Sequence, residues 1–275
     1  MKKIAIEFKP ISVIAGKEFW DRIRNRWVLA VAVIFTVFAL VIAYFGAAQQ
    51  GTVGFRGMDV TIASLVSLVI YLVPLIALIL GYDAIVGERE RGSLELLLSM
   101  PITHFELLMG KFVGLAGALA FSTLAGFGLA GVLLSYQLGP TALYHYVGFM
   151  LSAILLGMAF LSIAVMVSVM ASDRMRASGM AIGLWFFYVL VYDLLLLGIL
   201  VLSERRFNLG FFPVLLYLNP ADIFRILNVF GFKEVRELYG LATVLPATLA
   251  SPWLLGSAMV LWIVAPLGVA VWRFK

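Results

Sequence analysis

The sequence predicts an all-α integral membrane protein with six transmembrane helices. Of its 275 residues, 63% are apolar and only 13% are charged, against about 25% charged in an average soluble domain. The apolar residues fall in long blocks with few charges inside them, which is typical of helices that cross a bilayer. Lys and Arg gather at the ends of these blocks. We therefore expect residues 1–275 to form one transmembrane domain.

Composition and missing motifs exclude several functions. The net charge of +5 comes without a basic groove lined by aromatic residues, so it does not indicate nucleic-acid binding. The absence of Cys excludes disulfides, thiolate metal sites and cysteine nucleophiles. Neither a G-x-x-x-x-G-K-[ST] phosphate loop nor an H-E-x-x-H motif is present. We expect a chain that is not an enzyme and binds no metal or cofactor itself.

The first element is an amphipathic helix within residues 1–26. In "KPISVIAGKEFWDRIRNRW", apolar residues recur every three or four positions with charges between them, which is typical of a helix in the membrane interface. A cleaved signal peptide is the alternative, and "FGAA" resembles a cleavage site. However, a 26-residue basic segment before a 21-residue apolar run fits the short regions of a signal peptide poorly.

Six spans follow on hydropathy. Each has at least 21 residues, or about 31 Å of helix, which is enough to cross the hydrocarbon core. The predicted spans one to six cover residues 27–47, 61–82, 112–136, 144–170, 179–202 and 252–272.

Basic residues predict the orientation. Fourteen of the twenty Lys and Arg residues lie on one side, in the N-terminal segment, the 83–111 and 171–178 connections and the C-terminus. The other side has Arg56, none between 137 and 143, and five across the long 203–251 connection. Because short loops weigh most in the positive-inside rule, we expect both termini in the cytoplasm.

The 203–251 connection predicts an ordered outer cap. "FFPVLLYL" is too short to span and suits a re-entrant piece, and "LYGLATVLPATLA" is a second apolar piece, broken at Pro246. In "NPADIFRIL", Asn219 suits an N-cap, Pro220 the first helical position and Asp222 the first turn. Four residues are candidates for contact with an outer partner: Asn219, Asp222, Phe224 and Arg225.

The charged segment, defined as residues 88–101, separates spans two and three. Its first four residues alternate in sign, and an apolar stripe at helical spacing follows, formed by Leu94, Leu97 and Leu98. Met100-Pro101 ends this helix because the residue before proline disfavours the α region. Thr103 and Glu106 then form a capping box that starts the next helix. The alternative is an interfacial elbow, a simple connection between spans two and three at the membrane surface. Such an elbow needs neither fourteen residues nor a second helix with its own cap. A surface that binds a cytoplasmic partner explains both features.

Two further features concern the membrane interior. Asp193 is the one acid well inside a span, and such acids are candidates for a transport pathway. The alternative is a carboxyl satisfied by Tyr188, Tyr192 or a neighbouring helix. Gly110 and Gly114 form a G-x-x-x-G at the start of span three, which permits close helix approach within or between protomers, or bending.

"YDAIVGERERGSLELLLSMPITHFELLMGKFVG" resembles the segment after the second span of ABC-2-type transporter permeases. There the pattern E-x-E-x-G-[ST]-L-E-L-L-L-x-x-P forms a coupling helix that docks on the ATPase. The matching residues are Glu88, Glu90, Gly92, Ser93, Leu94, Glu95 and Pro101. The resemblance covers the whole chain and implies a type V exporter-like permease, with ATP and Mg bound in a partner ATPase. It implies that the residues coupling to this ATPase are Glu88, Arg89, Glu90, Arg91, Gly92, Ser93, Leu94, Glu95, Leu97, Leu98, Met100 and Pro101.

A narrower resemblance rests on "RNRW", "TIASLVSLVIYLVPLIALILGYDAIVGE" and "LNPADIFRI". These stretches are similar to the membrane subunits of transporters that serve maturation of the copper enzyme nitrous oxide reductase in denitrification. That family implies a homodimer in the bacterial inner membrane, two cytoplasmic ABC ATPase subunits and one periplasmic partner. The resemblance implies a sulfur species or copper as the cargo. Two other functions remain open, namely an ABC-2 exporter of lipid, glycan or peptide and a non-transporting scaffold that passes a conformational signal.

Overall fold

The computed structural model describes residues 7–45, 58–138, 140–203, 212–229 and 251–274, and every regular element within these ranges is helical. A five-residue π-helix, Phe187–Val191, joins α8 to α9. The α-helices are α1 Phe8–Arg24, α2 Trp27–Phe45, α3 Met58–Gly81, α4 Val86–Glu90, α5 Ser93–Leu98, α6 His104–Leu138, α7 Pro140–Met170, α8 Arg174–Phe186, α9 Tyr192–Ser203, α10 Phe212–Tyr217, α11 Pro220–Val229 and α12 Pro252–Arg273.

Six stretches within the described ranges are long and apolar enough to cross a membrane, which confirms the predicted all-α class with six spans. Span one is α2, span two is α3, span three is α6 and span four is α7. Span five is the α8–π–α9 unit, and span six is α12. The second apolar piece expected before span six, with its break at Pro246, lies outside the described residues.

The central helix of the bundle is α7. It packs against α3, α6, α11 and α12, and 72% of its most apolar stretch is buried. Serine hydroxyls on this helix find partners inside the protein, since Ser162 Oγ donates to the Ile263 carbonyl of α12 at 2.6 Å. In a water-free core such bonds satisfy groups that would otherwise be costly. Neighbours therefore hold α7 on several sides.

Glycines on α6 let two other helices approach it closely. A Cβ added at Gly110 would lie 2.7 Å from the Ile14 Cβ, and one added at Gly114 would lie 2.6 Å from the Ala15 carbonyl oxygen. The predicted G-x-x-x-G thus seats α1 within the protomer. Further along α6, a Cβ at Gly126 would lie 2.8 Å from the Ala32 oxygen of α2. Small residues serve here to bring backbones together.

Span five contrasts with α7. It packs against α3 and α7, but only 11% of its most apolar stretch is buried within the protomer. Its exposed apolar residues include Ile182, Phe186, Leu194 and Leu197. Because packing within the protomer holds span five so lightly, the polar contacts at its two ends carry more of its positioning.

Candidate functional site

The charged segment is not the single helix that the sequence predicts. It consists of α4 and α5, separated at Gly92, whose φ of 71° lies in the left-handed region. A residue without Cβ adopts that region at little cost, so glycine can break the helix here. The second half ends at Leu98, just before Met100 and Pro101, where proline disfavours a continued helix. Two short helices with a fixed turn between them therefore connect spans two and three.

The first half of the charged segment is held to α1 and α6 through one buried lysine. Lys111 Nζ lies 2.7 Å from Glu18 Oε1 and 3.1 Å from Glu88 Oε1, and the lysine side chain is only 4% exposed. The Ser93 hydroxyl donates to the Glu88 carboxylate from across the Gly92 turn. One cation thus joins three helices, and Ser93 ties α5 to the same network.

The next two charges tie the segment to spans four and five. The Arg89 guanidinium donates to the Ala171 carbonyl at 2.8 Å and the Val169 carbonyl at 3.3 Å. These groups lie at the C-terminus of α7, where carbonyls lack partners within the helix. Glu90 Oε1 accepts from the backbone N–H of Arg174 at 2.7 Å. The alternating signs thus provide partners for different neighbours.

Asp83 completes the contact with span five. Its Oδ1 lies 2.7 Å from Arg174 Nε, and its Oδ2 lies 3.5 Å from the more exposed Arg91. Arg174 opens α8, which Asp173 caps by accepting from the Arg176 backbone N–H at 2.8 Å. This N–H and the Ser172 hydroxyl hold the pKa of Asp173 below its usual value. The first turn of span five, which the predicted span left out, is therefore firmly defined.

The predicted capping box at the start of α6 is confirmed. The Thr103 backbone N–H donates to Glu106 Oε2 at 2.7 Å, and the Glu106 backbone N–H donates to Thr103 Oγ1 at 3.1 Å. The other oxygen of Glu106 accepts from the Glu7 backbone N–H at 2.7 Å, just before α1. The box thus anchors the beginnings of α6 and α1 to each other.

The side chains of α5 divide in a way that the apolar stripe does not reveal. Leu94 is buried, and Leu97 and Leu98 pack against the core. The residues that point outward are Glu95, Leu96, Ser99, Met100 and Pro101. Leu96 is 66% exposed and Met100 49% exposed. Sequence reasoning left Leu96 out because it lies off the stripe, yet its exposure makes it the strongest candidate for an outside contact.

A second polar cluster links span five to α11. Arg225 Nη2 lies 2.7 Å from Asp193 Oδ2, and its Nη1 lies 2.6 Å from Asp222 Oδ1. Asn219 Nδ2 donates to Asp222 Oδ2 at 3.0 Å and to the Tyr188 carbonyl of the π-helix at 2.9 Å. The alternative for Asp193 is a carboxyl group satisfied by a neighbouring helix. Arg225 of α11 is that neighbour, although the sequence predicts that Arg225 contacts an outer partner.

Burial corrects the prediction that four residues near α11 contact an outer partner directly. Asn219 and Phe224 are fully buried, and Asp222 is 1% exposed. Asn219 acts instead as the predicted N-cap, since its Oδ1 accepts from the Ala221 backbone N–H at 3.0 Å. Burial and the nearby Asp193 carboxylate, opposed by Arg225, raise the pKa of Asp222 above its usual value. Among the four, only Arg225 retains partial exposure, and two carboxylates engage it.

The part of the chain that the structure describes contains no group of three or more His, Cys, Asp or Glu side chains placed to hold a metal ion. Its most connected polar regions are the two clusters at the ends of span five. Their chemistry is ion pairing and hydrogen bonding between helices, which is suited to positioning helices.

Comparison with known proteins gives one consistent result. The family model described as "ABC-2 family transporter protein" matches residues 12–275. A protein of Pseudomonas aeruginosa named "Probable ABC transporter permease protein NosY" is 46% identical over 268 residues, covering 95% of this chain and 96% of the relative. A protein of the same name from Stutzerimonas stutzeri is 44% identical over 269 residues, with the same coverage of both chains.

Proposed function

The chain belongs to the ABC-2 transporter family, as a multi-pass membrane permease of the NosY type, and we propose that a separate cytoplasmic ATPase drives it through the charged segment. ATP and Mg would bind in that ATPase, because this chain has no phosphate loop. The positive-inside rule places the charged segment and both termini in the cytoplasm. Energy then reaches the membrane domain as a mechanical displacement.

The observation that carries this proposal is the contrast within the charged segment. Its outward tip presents Leu96 and Met100, two exposed apolar side chains. Its inner side is fixed to α6, α7 and α8 by the contacts of Glu88, Arg89 and Glu90, and Lys111 extends the first of these contacts to α1. A partner that binds the tip would therefore displace several helices together. An interfacial elbow needs no such set of attachments.

The partners and cargo follow from the narrower resemblance. We propose a homodimer with two ATPase subunits and one periplasmic partner of the NosD type. The assembly would deliver a sulfur species or copper for the metal centre of nitrous oxide reductase. ATP-driven closure of the ATPases would push both charged segments and rock the two protomers. The outer surface, including α10 and α11, would then change shape toward the periplasmic partner.

Co-purification with a tagged chain tests this assignment. From membranes, we expect an ABC ATPase and a secreted periplasmic protein to be retained with the chain. An ATPase alone would favour an ABC-2 exporter of another cargo, such as lipid, glycan or peptide. Retention of neither protein would favour a non-transporting scaffold and contradict the proposal.

Matched variants locate the contact. Leu96→Glu places a charge on the apolar tip, so we expect strong loss of ATPase capture with unchanged membrane expression. Leu218→Glu is the control, because Leu218 is similarly exposed, at 52%, but lies between α10 and α11. It should capture the ATPase as the unaltered chain does. Equal capture by both variants would argue against docking at the tip.

A further inference from the structure

Span five meets the charged segment at its beginning. The Arg174 backbone N–H donates to Glu90 Oε1 at 2.7 Å. The Arg174 side chain lies 2.7 Å from Asp83 and 3.5 Å from Glu90. Both acids lie between span two and the Gly92 turn, so a displacement of the charged segment acts directly on the first turn of α8.

The other end of span five is tied to α10 and α11. The Tyr192 hydroxyl donates to the Leu215 carbonyl at 2.7 Å. The Asn219 amide donates to the Tyr188 carbonyl at 2.9 Å, within a π-helix, whose wider turns often mark functional sites. Asp193 pairs with Arg225 at 2.7 Å. These three contacts lie about 21 to 28 Å along the helix from Arg174, at 1.5 Å per residue.

Between these ends, span five has few attachments among the described residues. Ala177, Ala181 and Val189 are buried against the bundle, and Trp185 Nε1 donates to the Tyr71 carbonyl of α3 at 3.0 Å. Within the protomer, 11% of the most apolar stretch of span five is buried, against 72% for α7, so a shift of span five disturbs less packing within the protomer. A stiff helix that is tied at its ends and lightly packed between them transmits displacement along its axis.

We propose that span five is the lever that carries motion of the charged segment to α10 and α11. Arg174 is its input contact, and Asp193 with Arg225 is its output contact. The inference rests on the proposed function, because it takes the charged segment as the end that the ATPase moves. The π-helix keeps the output end fixed to Asn219, so a shift of α9 is passed on to α11.

Two single-cysteine spin-label positions test the lever in the reconstituted complex of the chain with its ATPase. The chain has no Cys, so Ser99→Cys and Leu218→Cys each give one label per protomer. Both sites are exposed, and they lie near opposite ends of span five. Pulsed electron paramagnetic resonance then measures the distance between the two copies, without nucleotide and with trapped Mg-ATP. In the otherwise unaltered chain, we expect both distances to change on trapping.

Removing the contact between Asp193 and Arg225 separates the distance change at position 99 from that at position 218. In Asp193→Ala, we expect the distance change at position 99 to persist and the change at position 218 to be reduced, since the Tyr188 and Tyr192 contacts remain. Asp193→Glu retains the carboxylate and should restore it. Full retention of the change at position 218 in Asp193→Ala would overturn the lever. No change at either position in the unaltered background would instead contradict the proposed function, so the two failures are distinguishable.

The input contact has a closely matched control. Arg174→Gln removes the guanidinium that pairs with Asp83 and Glu90, so it should also reduce the change at position 218. Arg176 lies on the same turn but pairs with Asp173, at 3.2 Å, within its own helix end. Arg176→Gln should leave both distance changes intact. Equal loss in the two arginine variants would mean that the helix start as a whole matters, which would overturn the specific input contact.

Discussion

The two polar clusters at the ends of span five differ in how many cations hold their carboxylates. Around the charged segment, Lys111 faces two carboxylates, and Arg174 faces two others. Arg91 also pairs with Asp83, so at least three cations share these four carboxylates. Exposure varies within this cluster, since the Lys111 side chain is 4% exposed and that of Arg174 is 36% exposed. Beside α11, two carboxylates share the single guanidinium of Arg225, and Asp222 is almost fully buried whereas the Asp193 side chain is 37% exposed.

This difference indicates how readily the ion pairs of each cluster can break and re-form. Ion pairs near water are weak individually and can re-form after a displacement. A buried charge that loses its partner costs several kcal/mol. The partly exposed pairs of Arg91 and Arg174 are therefore suited to a joint that moves, whereas the buried Asp222, which depends on one cation, is suited to an attachment that must hold. Four substitutions, from the largest expected effect to the smallest, test that contrast.

The α11 cluster should show the largest loss. Arg225→Gln leaves Asp193 and Asp222 without their cation, so we expect the free energy of unfolding to fall by about 3–5 kcal/mol. Tryptophan fluorescence during denaturation in micelles measures it. Arg91→Gln is the control, since Arg91 pairs with Asp83 at 3.5 Å and is 61% exposed, and it should cost about 0–1 kcal/mol. Similar losses in Arg225→Gln and Arg91→Gln would mean that the buried and the exposed ion pairs contribute equally to stability.

The buried lysine of the first cluster comes next. Lys111→Met retains much of the aliphatic volume but removes the charge that faces Glu18 and Glu88. Glu18 also lies 3.9 Å from Lys17, and Glu88 also accepts from the Ser93 hydroxyl, so both carboxylates retain a partner. We therefore expect a loss of about 1.5–3 kcal/mol, as for a hydrogen bond to a charged group. We also expect easier proteolysis of α1, which Glu18 helps to hold. A loss as large as that of Arg225→Gln would show that both clusters are equally rigid.

Close packing of α1 on α6 supports the same cluster. Gly114→Ala places a Cβ 2.6 Å from the Ala15 carbonyl oxygen, so α1 must shift, and we expect a loss of about 1–2 kcal/mol, typical of overpacking. Gly128→Ala meets nothing within 4 Å and should be neutral or gain up to about 1 kcal/mol from helix propensity. The same unfolding assay compares them. Equal effects would mean that α1 accommodates the methyl group freely.

The smallest effect belongs to the turn between α4 and α5. Gly92 has a φ of 71° with open space around it, so Gly92→Ala should cost only about 1 kcal/mol, from backbone conformation alone. Its effect on partner-dependent ATPase activity should exceed its effect on stability, because the turn sets the direction of the tip. Unchanged ATPase activity together with a measurable stability loss would show that the turn angle is not used.

Local patterns predicted local structure well. The Thr103–Glu106 box and the start of α11 at Asn219 and Pro220 could be identified because a cap involves residues two or three apart. The break at Gly92 could not be predicted, because an amphipathic pattern can continue through a single glycine. The sequence alone does not give the φ angle of that glycine. The sequence also could not show that the leucine stripe of α5 faces the core. Periodicity identifies an apolar face of a helix but not the element against which that face packs.

The pairings of the two clusters could not be predicted from the sequence. Glu18 and Lys111 lie 93 positions apart, and Asp193 and Arg225 lie 32 apart. Such pairs depend on how helices are arranged, and many charges along the chain could have met. The sequence therefore indicated Asp193 and Arg225 as notable residues but assigned them to separate roles, a transport pathway and a partner contact.

Site-specific cross-linking most directly tests the claim that the tip of the charged segment is where the ATPase acts. Leu96→Cys and Leu218→Cys, each the only cysteine in the chain, would be coupled to a short photo-activated cross-linker in the assembled complex. The account predicts that position 96 cross-links to the ATPase and position 218 does not. Cross-linking of the ATPase at position 218, or at neither position in a complex that retains the ATPase, would contradict it.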